Sequence, residues 1–316
     1  MKRPTGNVQR ATRYMLRRNK NVLVFCALAL LASAACRDAP EPPRAAADEG
    51  KPQVSDTSAL PFRVPSETEI KDSVTLASIR RGRALIHNTR DSLPRNVRAA
   101  LACASCHAGD GTVANAMPLV GAYSRFPQYR ARSGHVDLLE DRINDCFERS
   151  MNGKALDMKG PDMRDMVTYI AFLSRGYPPG REMEGESVPK LEPLTGDSAR
   201  GREIFATRCA ACHGADGNGS MAAPPLWGPR SYNIGAGMAR VRTAAAYIRQ
   251  VMPRDRPGSL TPQQAFDLAT YINTRPRPDF RDKEFDWPHG GAPPDVAYPT
   301  LAARKNAATA VPAGKK

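Results

Sequence analysis

The chain has 316 residues, a formal net charge of +14, 41% hydrophobic residues and only 6% aromatic ones. That length permits two domains beyond a leader, and so few large rings leave two cores short of apolar bulk unless a cofactor fills them. Residues 1–36 hold seven Lys/Arg and no acid, so the remaining 39 Lys/Arg against 32 acids leave about +7; this suits an anionic small substrate or an acidic protein partner, and with no recognition motif or basic–aromatic interleaving, nucleic acid is set aside.

The N-terminus reads as an export signal over residues 1–36. Lys2, Arg3, Arg10, Arg13, Arg17, Arg18 and Lys20 form a basic region, and Val22–Ala35 is an apolar run that ends in small residues. The run is shorter than the roughly 20 residues a membrane-spanning helix needs, and its end suits a cleavage site. Its last residues, Leu31-Ala32-Ser33-Ala34-Ala35-Cys36, resemble the lipobox of bacterial lipoproteins, with Ser33 where Leu is usual. Cys36 is therefore the expected lipidation site; ordinary cleavage beside Ala35 is the alternative. Residues 37–65 are rich in Pro, Ala and acids and lack the apolar content of a core, so they are expected to be a disordered tether. Such a tether would hold an anchored body about 30 Å off a membrane. The expected address is outside the cytosol, in the periplasm.

Two segments then repeat one pattern, over 66–176 and 197–280, with a linker at 177–196 and a polar C-terminal tail at 281–316 that is expected to wrap the surface. Each has a helix, a Cys-x-x-Cys-His motif, a glycine-containing loop, a middle helix and a closing amphipathic helix. The motifs are Cys103-Ala104-Ser105-Cys106-His107 and Cys209-Ala210-Ala211-Cys212-His213. Cys-x-x-Cys can be a redox dithiol, half of a zinc site or a haem c attachment. The His directly after the second Cys favours haem: two thioethers fix the porphyrin edge and the adjacent imidazole becomes the proximal iron ligand. A zinc site would have to combine pairs more than 100 residues apart and would leave His107 and His213 unexplained.

Context around each motif agrees. Asp197–Arg208 reads as a short helix before Cys209, and His213 is followed by a glycine-rich loop, the usual opening of a class I cytochrome c domain. In the first closing helix, about Pro161–Ser174, Met163, Met166, Val167 and Ile170 share one face. In the second, Thr261 is an N-cap with Pro262 at N1 and Gln264 at N3, and Ala265, Leu268, Ala269 and Ile272 make the buried stripe. Gly82 and Gly201 are placed where the first and last helices of each domain cross. The expected fold is all-α: two tandem class I cytochrome c domains, each built on one covalent haem c.

A six-coordinate haem needs a second axial ligand. In the second domain Met252, 39 residues after His213, is the candidate, with Met238 as competitor. In the first domain the residue at that same offset from His107 is Cys146. The segment 142–154 should be helical, which puts Arg142 (i−4), Arg149 (i+3) and Ser150 (i+4) on the cysteine's face. A thiol beside two guanidinium groups is biased toward the thiolate. The alternative is a buried structural Cys146 with Met117, Met151 or Met158 as ligand.

These residues resemble the thiosulfate dehydrogenases, tetrathionate-forming dihaem cytochromes c, and the related cytochrome subunit of the sulfur-oxidising thiosulfotransferase. The matching stretches are Gly82–Ile86, Asp91–Pro94, Cys103–His107, Met117–Gly121, Arg125–Gly134, Asn144–Gly153, Pro224–Pro229 and Gly235–Met238. The resemblance implies that Cys146 is the distal ligand of an active-site haem, that its sulfur can hold the first thiosulfate covalently, and that Met252 serves an electron-exit haem. One departure is visible: some members carry a Lys beside that Met as an alternative ligand, and here the neighbour is Val251. Thiosulfate is a dianion, and Arg142, Arg149 and Lys154 are the nearest candidate cations, with Arg125, Arg130 and Arg132 behind them. A thiolate on the first iron and a thioether on the second would make electron flow from the first to the second downhill, and then out to an external acceptor such as a small cytochrome c. A non-catalytic electron carrier is the competing expectation, and one with no need for clustered arginines around a spare thiol.

Overall fold

The computed structural model describes residues 58–309. The expected leader, Cys36 and most of the expected tether lie outside the described residues.

Helix α1 (Ser73–His87) starts because the Asp72 carboxylate accepts the Thr75 amide at 2.6 Å, satisfying an otherwise orphan donor. It buries Ile79, Gly82, Leu85 and Ile86, a helical stripe. After the first Cys-x-x-Cys-His turn, a short antiparallel ribbon pairs Gln128–Arg130 with His135–Asp137. Helix α2 (Leu139–Arg149) buries Ile143 and Phe147, and α3 (Pro161–Leu173) buries Met163, Met166, Tyr169, Ile170 and Leu173. The second domain repeats the plan with α4 (Ser198–Arg208), α5 (Val241–Val251) and α6 (Pro262–Asn273). Asp197 caps α4, and the expected Thr261–Gln264 capping box starts α6. Among the described residues no helix is long and apolar enough to cross a membrane.

Both domains close by the same crossing. A Cβ on Gly82 would lie 2.0 Å from the Asp165 carbonyl oxygen and 2.8 Å from Tyr169 Cβ; on Gly201 it would lie 2.1 Å from the Asp267 oxygen and 2.7 Å from Tyr271 Cβ. Only glycine allows this approach of first and last helices. Ion pairs sit beside each crossing: Arg81 with Asp162 and Asp165, and Arg200 with the buried Asp267 at 2.9 Å. In the second domain Phe205, Trp227 and Tyr271 pack with ring centroids 5.0–5.7 Å apart.

Three features differ from the sequence expectation. The middle helix of the first domain stops at Arg149 rather than continuing to 154. The Met151 amide returns to the Cys146 carbonyl and that of Gly153 to Phe147, both at 2.9 Å, around Asn152 at φ 45°; Asn-Gly favours this left-handed exit. The expected tether ends earlier than 65: Leu60 pairs with Met183, Phe62 packs on the first core, and the Arg63 amide donates to the Tyr177 hydroxyl at 2.6 Å. The polar tail carries buried residues, Asp286, Trp287, Tyr298 and Thr300, onto the body, and ends in helix α7 (Leu301–Thr309).

Candidate functional site

Each Cys-x-x-Cys-His motif folds as the same tight turn. The amides of His107 and His213 donate to the carbonyls of Cys103 and Cys209 at 2.9 Å, and those of Cys106 and Cys212 donate to the same carbonyls at 3.1 Å. The first turn is pinned to α1 through the buried Thr89, whose hydroxyl donates to Ile86 and accepts the Cys103 amide at 2.9 Å.

Both histidines are oriented from behind. His107 Nδ1–H donates to the Met117 carbonyl at 2.5 Å, and His213 Nδ1–H to the Pro224 carbonyl at 2.8 Å. This fixes the tautomer that leaves Nε2 for a metal. Burial pushes both imidazoles below their ordinary range, toward the neutral, ligating form.

Burial pushes the Cys103 thiol up to about 12 and the Cys106 and Cys209 thiols up to about 11. Such thiols are poor nucleophiles. That disfavours a redox dithiol and suits neutral thioethers.

A covalent haem fits these residues. An open cleft of about 230 Å³ is lined by Cys103 and His107, by the apolar side chains of Ile86, Leu119, Phe126, Leu139, Phe147, Met166 and Ile170, and by Cys146. Two buried guanidinium nitrogens, Arg240 Nε and Arg275 Nε, have no partner among the described residues. Buried polar groups rarely stay unpaired, and a haem's carboxylates are a chemical match for them.

The Cys146 sulfur accepts a hydrogen bond from Arg142 Nη1 at 2.7 Å, one helical turn earlier on α2. Attraction to Cys146 is the main reason the half-buried Arg142 guanidinium is held above its ordinary range, with Asp145 adding to it from 3.6 Å. Arg125 and Arg130 line the same cleft. Burial and the neighbouring Arg142 charge push Arg130 the other way, below its ordinary range. The cleft thus brings three guanidinium groups and the Glu186 carboxylate around the sulfurs of Cys146 and the attachment residue Cys103.

The remaining candidates stand elsewhere. Arg149 bonds to Asp145 and, at 2.8 and 3.0 Å, to Asp286; it also lies 4.1 Å over the Phe280 ring. Its cation is matched by two carboxylates. Ser150 caps α2 and Lys154 is exposed; neither they nor Arg149 line the cleft. Arg132 bonds to the same Asp286 at 3.1 Å and to the Tyr298 hydroxyl at 3.0 Å. Sequence reading missed Asp286 and Tyr298, because nothing local pairs a tail residue with an arginine 137 positions away.

In the second domain, Met252 follows α5 half-buried and packs on the second core, as Met238 also does. Met221 is fully exposed. In the first, Met151 is buried and lines the same cleft as Cys146, and Met158 is 43% exposed.

Comparison with known proteins agrees with this architecture. Residues 95–178 match the SoxA/TsdA cytochrome c domain and residues 198–276 match the cytochrome c domain. Two such domains, each with its Cys-x-x-Cys-His motif, carry two covalently bound haem c groups. The chain is 42% identical over 242 residues to a thiosulfate dehydrogenase of Psychrobacter arcticus, covering 74% of each chain. It is 45% identical over 237 residues to that of Allochromatium vinosum, covering 71% of this chain and 87% of that one. The structure of thiosulfate dehydrogenase (TsdBA) from Marichromatium purpuratum superimposes with a TM-score of 0.67 at 35% identity. That alignment spans 75% of this chain and 55% of the longer TsdBA chain. With two haem-binding cytochrome c domains and this degree of identity over most of its length, the chain belongs to the thiosulfate dehydrogenase family of dihaem c-type cytochromes.

Proposed function

We propose that the protein oxidises thiosulfate at the Cys146 cleft of its first domain. Two thiosulfate dianions joined through their sulfane sulfurs give one tetrathionate dianion and two electrons. When bound, the two haems supply the one-electron acceptors through which those electrons leave; His107 with Cys146, and His213 with Met252, are the residues that would hold their irons. The electrons then pass to an external acceptor such as a small redox protein in the periplasm. Lipidation at Cys36 would keep the enzyme at a membrane surface.

The observation that carries this reading is the 2.7 Å contact of Arg142 with the Cys146 sulfur, in a cleft also lined by Cys103 and His107. Bringing two dianions to about 4 Å costs on the order of 16 kcal/mol at an effective dielectric of 20. Arg125, Arg130 and Arg142 are fixed cations in the cleft that offset part of it.

The test is to add thiosulfate to the oxidised holoprotein and follow the haem bands together with the sulfur product. Reduction of the haems, with one tetrathionate formed for every two electrons accepted, supports the reading. Haems that stay ferric with thiosulfate but respond to a generic reductant would reduce the protein to an electron carrier.

A further inference from the structure

The two domains meet at the attachment turn of the first haem. The Ser105 carbonyl, inside the Cys103–Cys106 turn, accepts two hydrogen bonds from the second domain. One comes from the Tyr247 hydroxyl at 3.3 Å and the other from Arg254 Nη2 at 3.1 Å. Tyr247 is buried on α5, and Arg254 stands two residues beyond Met252. Around this junction Tyr247 and Val251 pack with Ala108 and Ala116, and Met117 and Met252 pack on the same cluster. Ala108 follows His107, and the Met117 carbonyl is the group that holds His107 Nδ1. Supports of the first iron's proximal ligand therefore touch the loop that offers the second iron's distal candidate.

We infer that Arg254, seconded by Tyr247, is a positioning residue for electron transfer between the two haem sites. It ties the attachment turn of the first haem to the Met252 loop of the second. The inference rests on the two-site electron flow proposed above. With both haems bound, one electron at a time would pass from the His107 site to the His213 site, with no bond made or broken and no proton moved. The path runs from the Cys103–Cys106 turn through the Ser105 carbonyl to Arg254, Pro253 and Met252.

The experiment uses the holoprotein, with electrons injected by a photochemical donor rather than by thiosulfate; its outcome is then independent of whether thiosulfate is the substrate. Arg254→Gln is expected to slow intraprotein electron equilibration at least tenfold, with both haems attached and their spectra unchanged. Arg254→Lys, which restores a charged donor of similar reach, is expected to return the rate to within threefold of native. An unchanged rate in Arg254→Gln overturns the inference. Should Arg254→Gln fail to assemble, Tyr247→Phe decides. It keeps the buried ring and removes only the hydroxyl; a rate at least threefold slower supports the role, and a native rate overturns it.

Discussion

At the scale of single residues, α2 carries two arginines that flank one cysteine and have different chemical fates. Arg142 faces the Cys146 sulfur in the cleft, whereas Arg149 is held by Asp145 and Asp286 under the C-terminal tail. Replacing each by alanine should therefore have separable effects. A charge-assisted hydrogen bond contributes about 1.5–3 kcal/mol, and each 1.4 kcal/mol is tenfold. Arg142→Ala should lower kcat/KM for thiosulfate by roughly 10–150-fold with little change in melting temperature. Arg149 is only 12% exposed. Breaking a buried pair from one side costs about 3–5 kcal/mol, so Arg149→Ala should lower Tm by roughly 6–20 °C with a KM close to native. Steady-state kinetics and thermal melts on the two variants check this, and the reverse pattern would exchange their roles. The pairing of Arg142 with Cys146 was legible in the sequence because i and i+4 share a helix face. The fate of Arg149 was not, since helical spacing places it beside the cysteine while Asp286 arrives from a distant segment. The cleft position of Arg125 and Arg130 depends on the 128–130 ribbon, too short to leave an alternating pattern.

At the scale of elements, the glycine crossings are the point on which both domains turn. Added bulk in a well-packed contact typically costs about 1–3 kcal/mol. A Cβ 2.0–2.1 Å from a helix carbonyl oxygen is worse, because backbone cannot swing aside. Gly82→Ala and Gly201→Ala should each destabilise the domain that holds the substituted glycine, and differential scanning calorimetry of the holoprotein would register it. The second crossing also carries an acid-sensitive contact. Burial pushes the Asp267 carboxyl up, but hydrogen bonds from Arg200, the Asp197 amide and Gln263 outweigh it and hold Asp267 below the ordinary carboxylate range. A carboxyl depressed in the folded state adds stability above its unfolded value, near 3.9, and loses it as pH falls through the folded value. Asp267→Asn should be less stable than native at neutral pH, and the gap between them should narrow below about pH 4. A constant gap in denaturation curves across that range would count against the linkage. Most helix starts were legible: Asp197, Thr261 and Pro161 announce α4, α6 and α3. The end of α2 was not, because the exit depends on Asn152 taking a left-handed conformation and Gly153 packing under the Asn96 carbonyl.

At the scale of the whole molecule, one plan is used twice with one functional difference. Both halves share the glycine crossing, the histidine held from behind and the tight Cys-x-x-Cys-His turn, so the sequence motifs carried the fold almost unaided. The halves diverge at the residue 39 positions after each histidine, Cys146 in one and Met252 in the other. Under the proposed ligation, thiolate would favour ferric iron in the first domain and thioether ferrous iron in the second, which would direct electron flow toward the second domain. The tail over the first domain and the packing of residues 60–65 were not legible, because their contacts run through buried residues scattered among polar ones. The measurement closest to the heart of this reading is electron paramagnetic resonance of the fully oxidised holoprotein beside its Cys146→Gly variant. Ligation by Cys146 predicts a low-spin ferric thiolate signal in the native protein that disappears in the variant, while the signal of the second haem and the content of both haems stay unchanged. Identical spectra from the two proteins would contradict it.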